Sequence, residues 1–253
     1  MFTVNAPVKE LIELDHKIFL QKIYCPEIAS IVQPGQFLNI KVSNSYYPLL
    51  RRPFSVCDVE GDYIYLMFNI LGEGTKLLAS KKINEPIDIL GPLGNGFNYE
   101  GTYSTAVIVG GGLGAAPFPF LIKRLTDKKE VMTFIGGRSI HDVITYGMKN
   151  LLTSTDDGTT GFKGNVVELL KNKISELKKS KIKIFGCGPT VMLKALKDFA
   201  LDFDFECEVS TECAMACGFG ICQGCPIEST NHKDKYLLVC KDGPVFNIKD
   251  VVL

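Results

Sequence analysis

Hydrophobic and polar positions change rhythm near residue 105. Before it, short β-type runs such as 37–42 and 63–67 alternate with turn signals at Gln33-Pro34-Gly35, Val59-Glu60-Gly61-Asp62 and Gly91-Pro92-Leu93-Gly94. Short strands so punctuated predict an antiparallel barrel or sandwich. After it, the apolar runs 106–109, 131–135 and 182–185 are separated by helical stretches: one to about Leu125, one carrying Val166, Val167, Leu169, Leu170, Ile174 and Leu177, and one from about Thr190 to Ala200. Strands alternating with helices predict a parallel sheet covered on both faces. Residues 205–209 are expected to close that sheet before a cysteine-rich tail begins. No internal repeat or low-complexity tract is visible.

The tail holds the sharpest chemical signal. Cys217, Cys222, Cys225 and Cys240 form a C-x4-C-x2-C-x14-C array. This is the plant-type [2Fe–2S] spacing, with three thiolates on one tight loop and a fourth from a distance. Gly218, Gly220 and Gly224 suit a loop that must turn through positive φ and bring its amides near sulfur. Structural zinc, which prefers two short Cys/His pairs, and plain free thiols are the competing assignments. Cys213 adds a rival register with four thiols on one loop, but the distant fourth ligand favours Cys240.

Composition narrows the setting. The 28 basic and 28 acidic residues cancel, so no net field draws the chain to nucleic acid or an anionic membrane. The basic run from Lys171 to Lys183 is expected to be the solvated face of a helix and its exit. No stretch approaches a membrane span, the first residues lack a signal architecture, and the nine cysteines do not form a secreted disulfide framework. A cytoplasmic protein is expected. His16, His141 and His232 are scattered and are expected on the surface or in turns.

Three further motifs point to anionic ligands. Arg51-Arg52-Pro53-Phe54-Ser55 places arginines where they can pair a diphosphate, with a serine two or three residues on. Leu71-Gly72-Glu73-Gly74-Thr75 is a glycine turn opening a short helix. Gly110-Gly111-Gly112-Leu113-Gly114 and Gly186-Cys187-Gly188-Pro189 each follow a strand and open a helix, and two such turns would line one crevice of an α/β sheet. Cys187 reads equally well as a group near that crevice or as a packed turn thiol.

These motifs, with Gly91-Pro92-Leu93-Gly94-Asn95-Gly96-Phe97 and the tail Val239-Cys240-Lys241-Asp242-Gly243-Pro244, resemble in order and content the ferredoxin–NADP reductase superfamily. Within it, they resemble the electron-transfer subunits of class 1B dihydroorotate dehydrogenases. The likeness spans essentially the whole chain. It implies a multi-domain β plus α/β fold: an antiparallel FAD-binding β-barrel at 1–101, a parallel-sheet NAD-binding domain at 102–206 and a small [2Fe–2S] domain at 207–253. It implies FAD on Arg52, Pro53, Phe54 and Ser55, on Phe68, Asn69 and Ile70, and on Gly74 and Thr75. It places NAD on Gly110, Gly111, Gly112, Gly114, Cys187, Gly188 and Pro189, and the cluster on Cys217, Cys222, Cys225 and Cys240.

By the same resemblance, an FMN-containing catalytic partner oxidises dihydroorotate, in a heterotetramer with two copies of each subunit. Electrons then pass through the cluster and FAD to NAD+, in de novo pyrimidine synthesis. A flavin and iron–sulfur subunit serving ferredoxin or a sulfur-reducing partner is the alternative. This chain would bind no orotate and supply no catalytic acid or base. It departs from the family's usual pattern at Phe68 and Asn69, where Tyr and Arg are common, and at Cys213, where a cysteine is unusual. NAD is the family expectation for the nicotinamide, although Arg138 could meet a 2′-phosphate.

Overall fold

The computed structural model describes residues 1–15, 17–231 and 236–253. His16 and His232 therefore lie outside the described residues, while His141 is exposed. Six strands close a barrel: β1 (Phe2–Asp15), β2 (Ile18–Tyr24), β3 (Phe37–Lys41), β4 (Arg52–Glu60), β5 (Tyr63–Asn69) and β6 (Pro86–Leu93), ordered β1-β2-β5-β4-β3-β6. Helices α1 (Pro26–Ala29) and α2 (Glu73–Ala79) sit in its connections. Alternation makes the wall: along β6, Ile87, Ile89, Gly91 and Leu93 are buried while their neighbours are not. Val8, Ile23, Ile40, Val56, Ile64 and Phe68 fill the interior.

The second sheet has seven strands: β7 (Thr105–Gly111), β8 (Glu130–Gly137), β9 (Leu151–Thr155), β10 (Phe162–Lys163), β11 (Ile182–Cys187), β12 (Glu206–Ser210) and, after the hairpin β13 (Pro226–Glu228) and β14 (Tyr236–Leu238), β15 (Val245–Asn247). The order is β10-β9-β8-β7-β11-β12-β15. Helix α3 (Phe118–Leu125) packs on one face, where Ala106 and Ile108 of β7 point, and α4 (Val166–Asn172), α5 (Ile174–Leu177) and α6 (Thr190–Asp202) pack on the other, where Val107 and Val109 point. The apolar run of β7 is continuous because both its faces are covered. Strand order reverses between β7 and β11, the point at which open α/β sheets form their ligand crevice.

Two expectations need correction. The segment 205–209 does not close the sheet: β15 pairs antiparallel with β12 through Glu208↔Asn247 and Ser210↔Val245. The cysteine tail is thereby stitched into the sheet that precedes it, because Phe246 and Val245 supply apolar side chains that a free tail would expose. Nor is the basic run wholly solvated. Lys183 lies on the interior strand β11, fully buried, with its Nζ 2.5 Å from Glu206 and 2.9 Å from Glu208. A buried ammonium needs such partners, and two carboxylates from the adjacent parallel strand provide them.

The barrel and sheet share one core. Leu20, Cys57, Tyr65 and Met67 of the barrel belong to the same apolar cluster as Ile108, Phe118 and Phe185 of the sheet domain. The tail is tied to the barrel as well: the amide of Asn95 donates to Gly243 O at 2.6 Å and Asn39 Nδ2 to Cys217 O at 3.1 Å. Among the described residues no helix is long and apolar enough to cross a membrane.

Candidate cofactor clefts and metal centre

Two clefts meet at the junction. The first, of about 270 Å³, runs along the barrel between β4, β5, the start of α3 and the segment after β12. Arg52, Pro53, Phe54, Ser55, Phe68, Asn69 and Thr75 all border it. The two arginines divide their duties. Arg51 turns to the barrel wall, with Nη2 2.7 Å from Asp88 Oδ1 and Nη1 donating to the carbonyls of Asn39 and Asp88. Arg52 lies over α2, and a Cβ on Gly74 would come 3.1 Å from its Nε. Gly74 therefore makes room for the arginine rather than bordering the cleft itself, and Ile70 also stands outside the lining. The Leu71 and Gly72 amides, expected to face an anion, donate instead to Thr75 Oγ1 at 2.9 and 3.3 Å.

The second cleft, of about 530 Å³, opens at the strand-order reversal. Gly111, Gly112, Gly114, Gly188 and Pro189 border it, joined by Gly136, Arg138, Asp142, Asp156, Asn165 and Met192. Gly112 has φ +53 and open space where a side chain would project. Gly114 serves a different need: a Cβ there would lie 2.5 Å from Gly188 Cα and 2.7 Å from Cys187 O, so the two turns pack backbone on backbone. Gly110 is buried in β7, where a Cβ would meet Ile135 Cδ1 at 2.7 Å. Cys187 is buried, outside both linings, and burial raises its thiol far above the ordinary range. The structure thus places Cys187 as a packed turn thiol.

Of the residues at the junction, sequence reasoning named only Asn69 as a site residue. Asn69, Leu71, Leu113 and Glu212 border both clefts. Glu212 is open to this shared space yet lies deep in the protein envelope, and that burial raises its carboxyl above the usual range. Its only sequence signal is its place between β12 and the first candidate ligand, Cys217. Asp142 accepts from the amides of Arg138 and Ser139 at 3.1 and 3.0 Å and stands 4.0 Å from Arg138 Nε. The one arginine available to a 2′-phosphate is therefore already faced by a carboxylate.

The cysteine loop lies on the far side of the first cleft. Gly218 and Gly220 adopt φ +83 and +90, as a loop wrapping back on itself requires. Cys217 and Cys222 touch, as do Cys225 and Cys240, whose sulfurs are 3.1 Å apart. Among the described residues no three metal-binding side chains converge on one point, and the four thiols lie as two pairs, Cys217 beside Cys222 and Cys225 beside Cys240. Burial opposes ionisation of Cys217, but the amides of Cys222, Phe219 and Ile221 and the Cys222 thiol overcome it and lower the thiol to about 6. Cys240 is pushed up to about 12, first by burial and then by Cys225. An amide-lined loop presenting one exposed and one buried pair of soft donors fits an iron–sulfur cluster.

A barrel joined to a doubly wound sheet, with a cleft on each and a four-thiol loop, defines a reductase of the ferredoxin–NADP reductase type with an appended iron–sulfur segment. Comparison with known proteins bears this out. Residues 212–252 match the iron–sulfur cluster binding domain of dihydroorotate dehydrogenase B. The dihydroorotate dehydrogenase B (NAD(+)) electron transfer subunit of Bacillus velezensis is 39% identical over 100% of both chains, and that of Desulforamulus reducens is 34% identical over 90% of this chain and 89% of the relative. The chain belongs to the family of dihydroorotate dehydrogenase B (NAD(+)) electron transfer subunits. Among solved structures, an NADH-dependent reduced ferredoxin–NADP oxidoreductase superposes with TM-score 0.87 at 26% identity, covering 99% of this chain and 91% of that one. A Neisseria gonorrhoeae ferredoxin NADP+ reductase, solved with FAD and NADP, shares the fold at TM-score 0.63 and 18% identity, over 79% of this chain and 91% of that one.

Proposed function

We propose that this chain transfers electrons between a dihydroorotate-oxidising, FMN-bearing partner subunit and NAD+, through a [2Fe–2S] cluster and FAD. The observation that carries the reading is the junction: the segment after β12 borders the barrel cleft, the sheet cleft and the cysteine loop at once. Nicotinamide, flavin and cluster together supply the conversion between two-electron hydride exchange and one-electron transfer. The chain's own work is to hold and align them. Arg52 meets the phosphates of FAD, Thr75 orders the turn beside them, and Ser55, Phe54, Phe68 and Asn69 border the rest of the first cleft. Gly111, Gly112, Gly114, Gly188 and Pro189 let a dinucleotide approach the second cleft. Cys217, Cys222, Cys225 and Cys240 ligate the cluster.

The partner fits against the exposed side of the cysteine loop, where Ile221 is 75% exposed beside Cys222, itself open to solvent. An assembly of two copies of each subunit is the expected form. Reconstituted chain alone should reduce dyes with NADH but not turn over dihydroorotate. Mixing with a dihydroorotate dehydrogenase catalytic subunit should yield dihydroorotate-dependent NAD+ reduction, and no such activity in a stable 1:1 mixture would refute the proposal. The solved ferredoxin-linked oxidoreductase superposes closely enough to support a second reading, electron delivery to ferredoxin. Ferredoxin reduction by the isolated chain at rates matching dye reduction would favour it.

A further inference from the structure

The barrel grips the cysteine segment close to both of its ends. At the first candidate ligand, Asn39 Nδ2 donates to the carbonyl of Cys217 at 3.1 Å, and a Cβ on Gly218 would come within 2.6 Å of the same nitrogen. Directly after the last, Cys240, Asn95 Nδ2 donates to the carbonyls of Lys241 and Asp242 at 3.3 and 2.9 Å. Both asparagines come from the barrel side of the chain, Asn39 on β3 and Asn95 just past β6. Asn39 is fully buried, whereas Asn95 is exposed.

Packing does not account for Asn39. Its neighbours Leu38 and Ile40 fill the barrel, while its own side chain leaves Oδ1 without a hydrogen-bond partner among the described residues. A buried amide left half satisfied lowers stability relative to an apolar side chain of the same shape. What the position gains is the bond to Cys217: a carbonyl only accepts, so the amide nitrogen must face it. The strand beneath is itself held, because Arg51 Nη1 donates to Asn39 O at 3.2 Å while its Nη2 pairs with Asp88. We propose that Asn39 and Asn95 are positioning residues that clamp the two ends of the cysteine segment onto the barrel and so slow the loss of the cluster. The inference rests on the assignment of the cluster to Cys217, Cys222, Cys225 and Cys240. Neither asparagine is a ligand. Asn39 contributes more, since its bond is shielded, whereas water competes for the contacts of Asn95.

The test uses the full chain, purified without oxygen and loaded with FAD and cluster, as wild type, Asn39→Leu and Asn95→Ala. Cluster absorption is followed in excess iron chelator, and the urea concentration that releases FAD, seen by flavin fluorescence, reports the barrel. The cluster should be lost roughly three- to tenfold faster from Asn39→Leu and about twofold faster from Asn95→Ala, as expected for one shielded and one exposed hydrogen bond. FAD release should need as much urea in both variants as in wild type. Leucine fills the site without an unsatisfied oxygen, so the barrel does not weaken. Equal cluster lifetimes in all three proteins would overturn the proposal. So would earlier FAD release in step with faster cluster loss, because the asparagines would then support the barrel at large. If Asn39→Leu does not fold, Asn95→Ala decides by the same two readouts. A wild-type protein with no iron–sulfur signal would overturn the underlying assignment and the proposal with it, and that outcome is seen before any variant is made.

Discussion

The cysteine loop and the glycine-lined cleft both depend on glycine, for opposite reasons. In the loop, Gly218 and Gly220 are needed for their backbone angles, φ +83 and +90, which let a short segment fold its amides onto Cys217 and Cys240. In the cleft, Gly114 is needed for contact, because its missing side chain lets the β7 and β11 turns touch. Three of the four candidate ligands of the loop lie within nine consecutive residues, so its chemistry is local. The cleft is assembled by pairing strands some 75 residues apart, Gly110 against Cys187, so its chemistry is topological. A local site fails by losing a donor; a topological site fails by losing alignment.

The largest effects should come from breaking each site in its own way. Cys222→Ser removes a donor from the exposed pair and should abolish the cluster's visible absorption and EPR signal while FAD content stays within about 20% of wild type. Gly114→Val asks a branched side chain to occupy space filled by Gly188 and Cys187 backbone, which neither turn can yield cheaply. NADH-dependent dye reduction should fall at least a hundredfold, with melting lowered by several degrees and iron retained. Gly112→Val is the contrast: its side chain enters open space, so the loss comes from the filled cleft and from about 1–2 kcal/mol of left-handed backbone strain. NADH reduction should be blocked with FAD still bound. If Gly112→Val proves as destabilising as Gly114→Val, the division between packing and access is wrong.

This contrast also explains what the sequence made legible. The cysteine spacing is local, so a candidate set of four thiols could be named directly from residue numbers. The two glycine turns could be recognised as one crevice because strand, turn and helix recur in order. What stayed hidden was chemistry created by folding. Glu212 has no motif, and only the return of β15 against β12 brings its segment to the junction of both clefts. Lys183 reads as one more lysine in a basic run until β11 is flanked by β7 and β12. Gly74 and Gly110, read as ligand glycines, also make room for Arg52 and Ile135, a packing role that spacing cannot distinguish from a binding one.

The adjacent arginines offer a smaller test of the same distinction. Arg52→Ala should weaken FAD retention about ten- to hundredfold, the loss of roughly 1.5–3 kcal/mol of charge-assisted hydrogen bonding, and leave iron unchanged. Arg51→Ala should do the reverse. It breaks a half-buried pair with Asp88 and two carbonyl contacts, so stability should drop by about 1–3 kcal/mol, while FAD titrates normally once the protein is folded. Equilibrium denaturation and FAD titration of both variants separate the roles. Similar losses of FAD affinity would show that the pair acts together as a fork.

The smallest effect concerns Glu212, where the two clefts join. Burial raises its carboxyl above the unfolded value of about 4.3. A raised acid contributes stability that is fully present below the unfolded pKa and is lost as pH rises through the folded one. Wild type should therefore match Glu212→Gln below about pH 4, under the unfolded pKa, where both side chains are neutral, and fall slightly below it toward pH 8. The side chain borders open clefts, so water and salt screen the charge and the difference should stay small. Urea midpoints of the FAD-free, cluster-loaded protein at several pH values measure it, and filling the clefts with FAD should enlarge the gap by excluding that water. A gap that is constant with pH would mean the carboxylate is solvated as an ordinary surface group, and that the junction between the clefts is wetter than its depth implies.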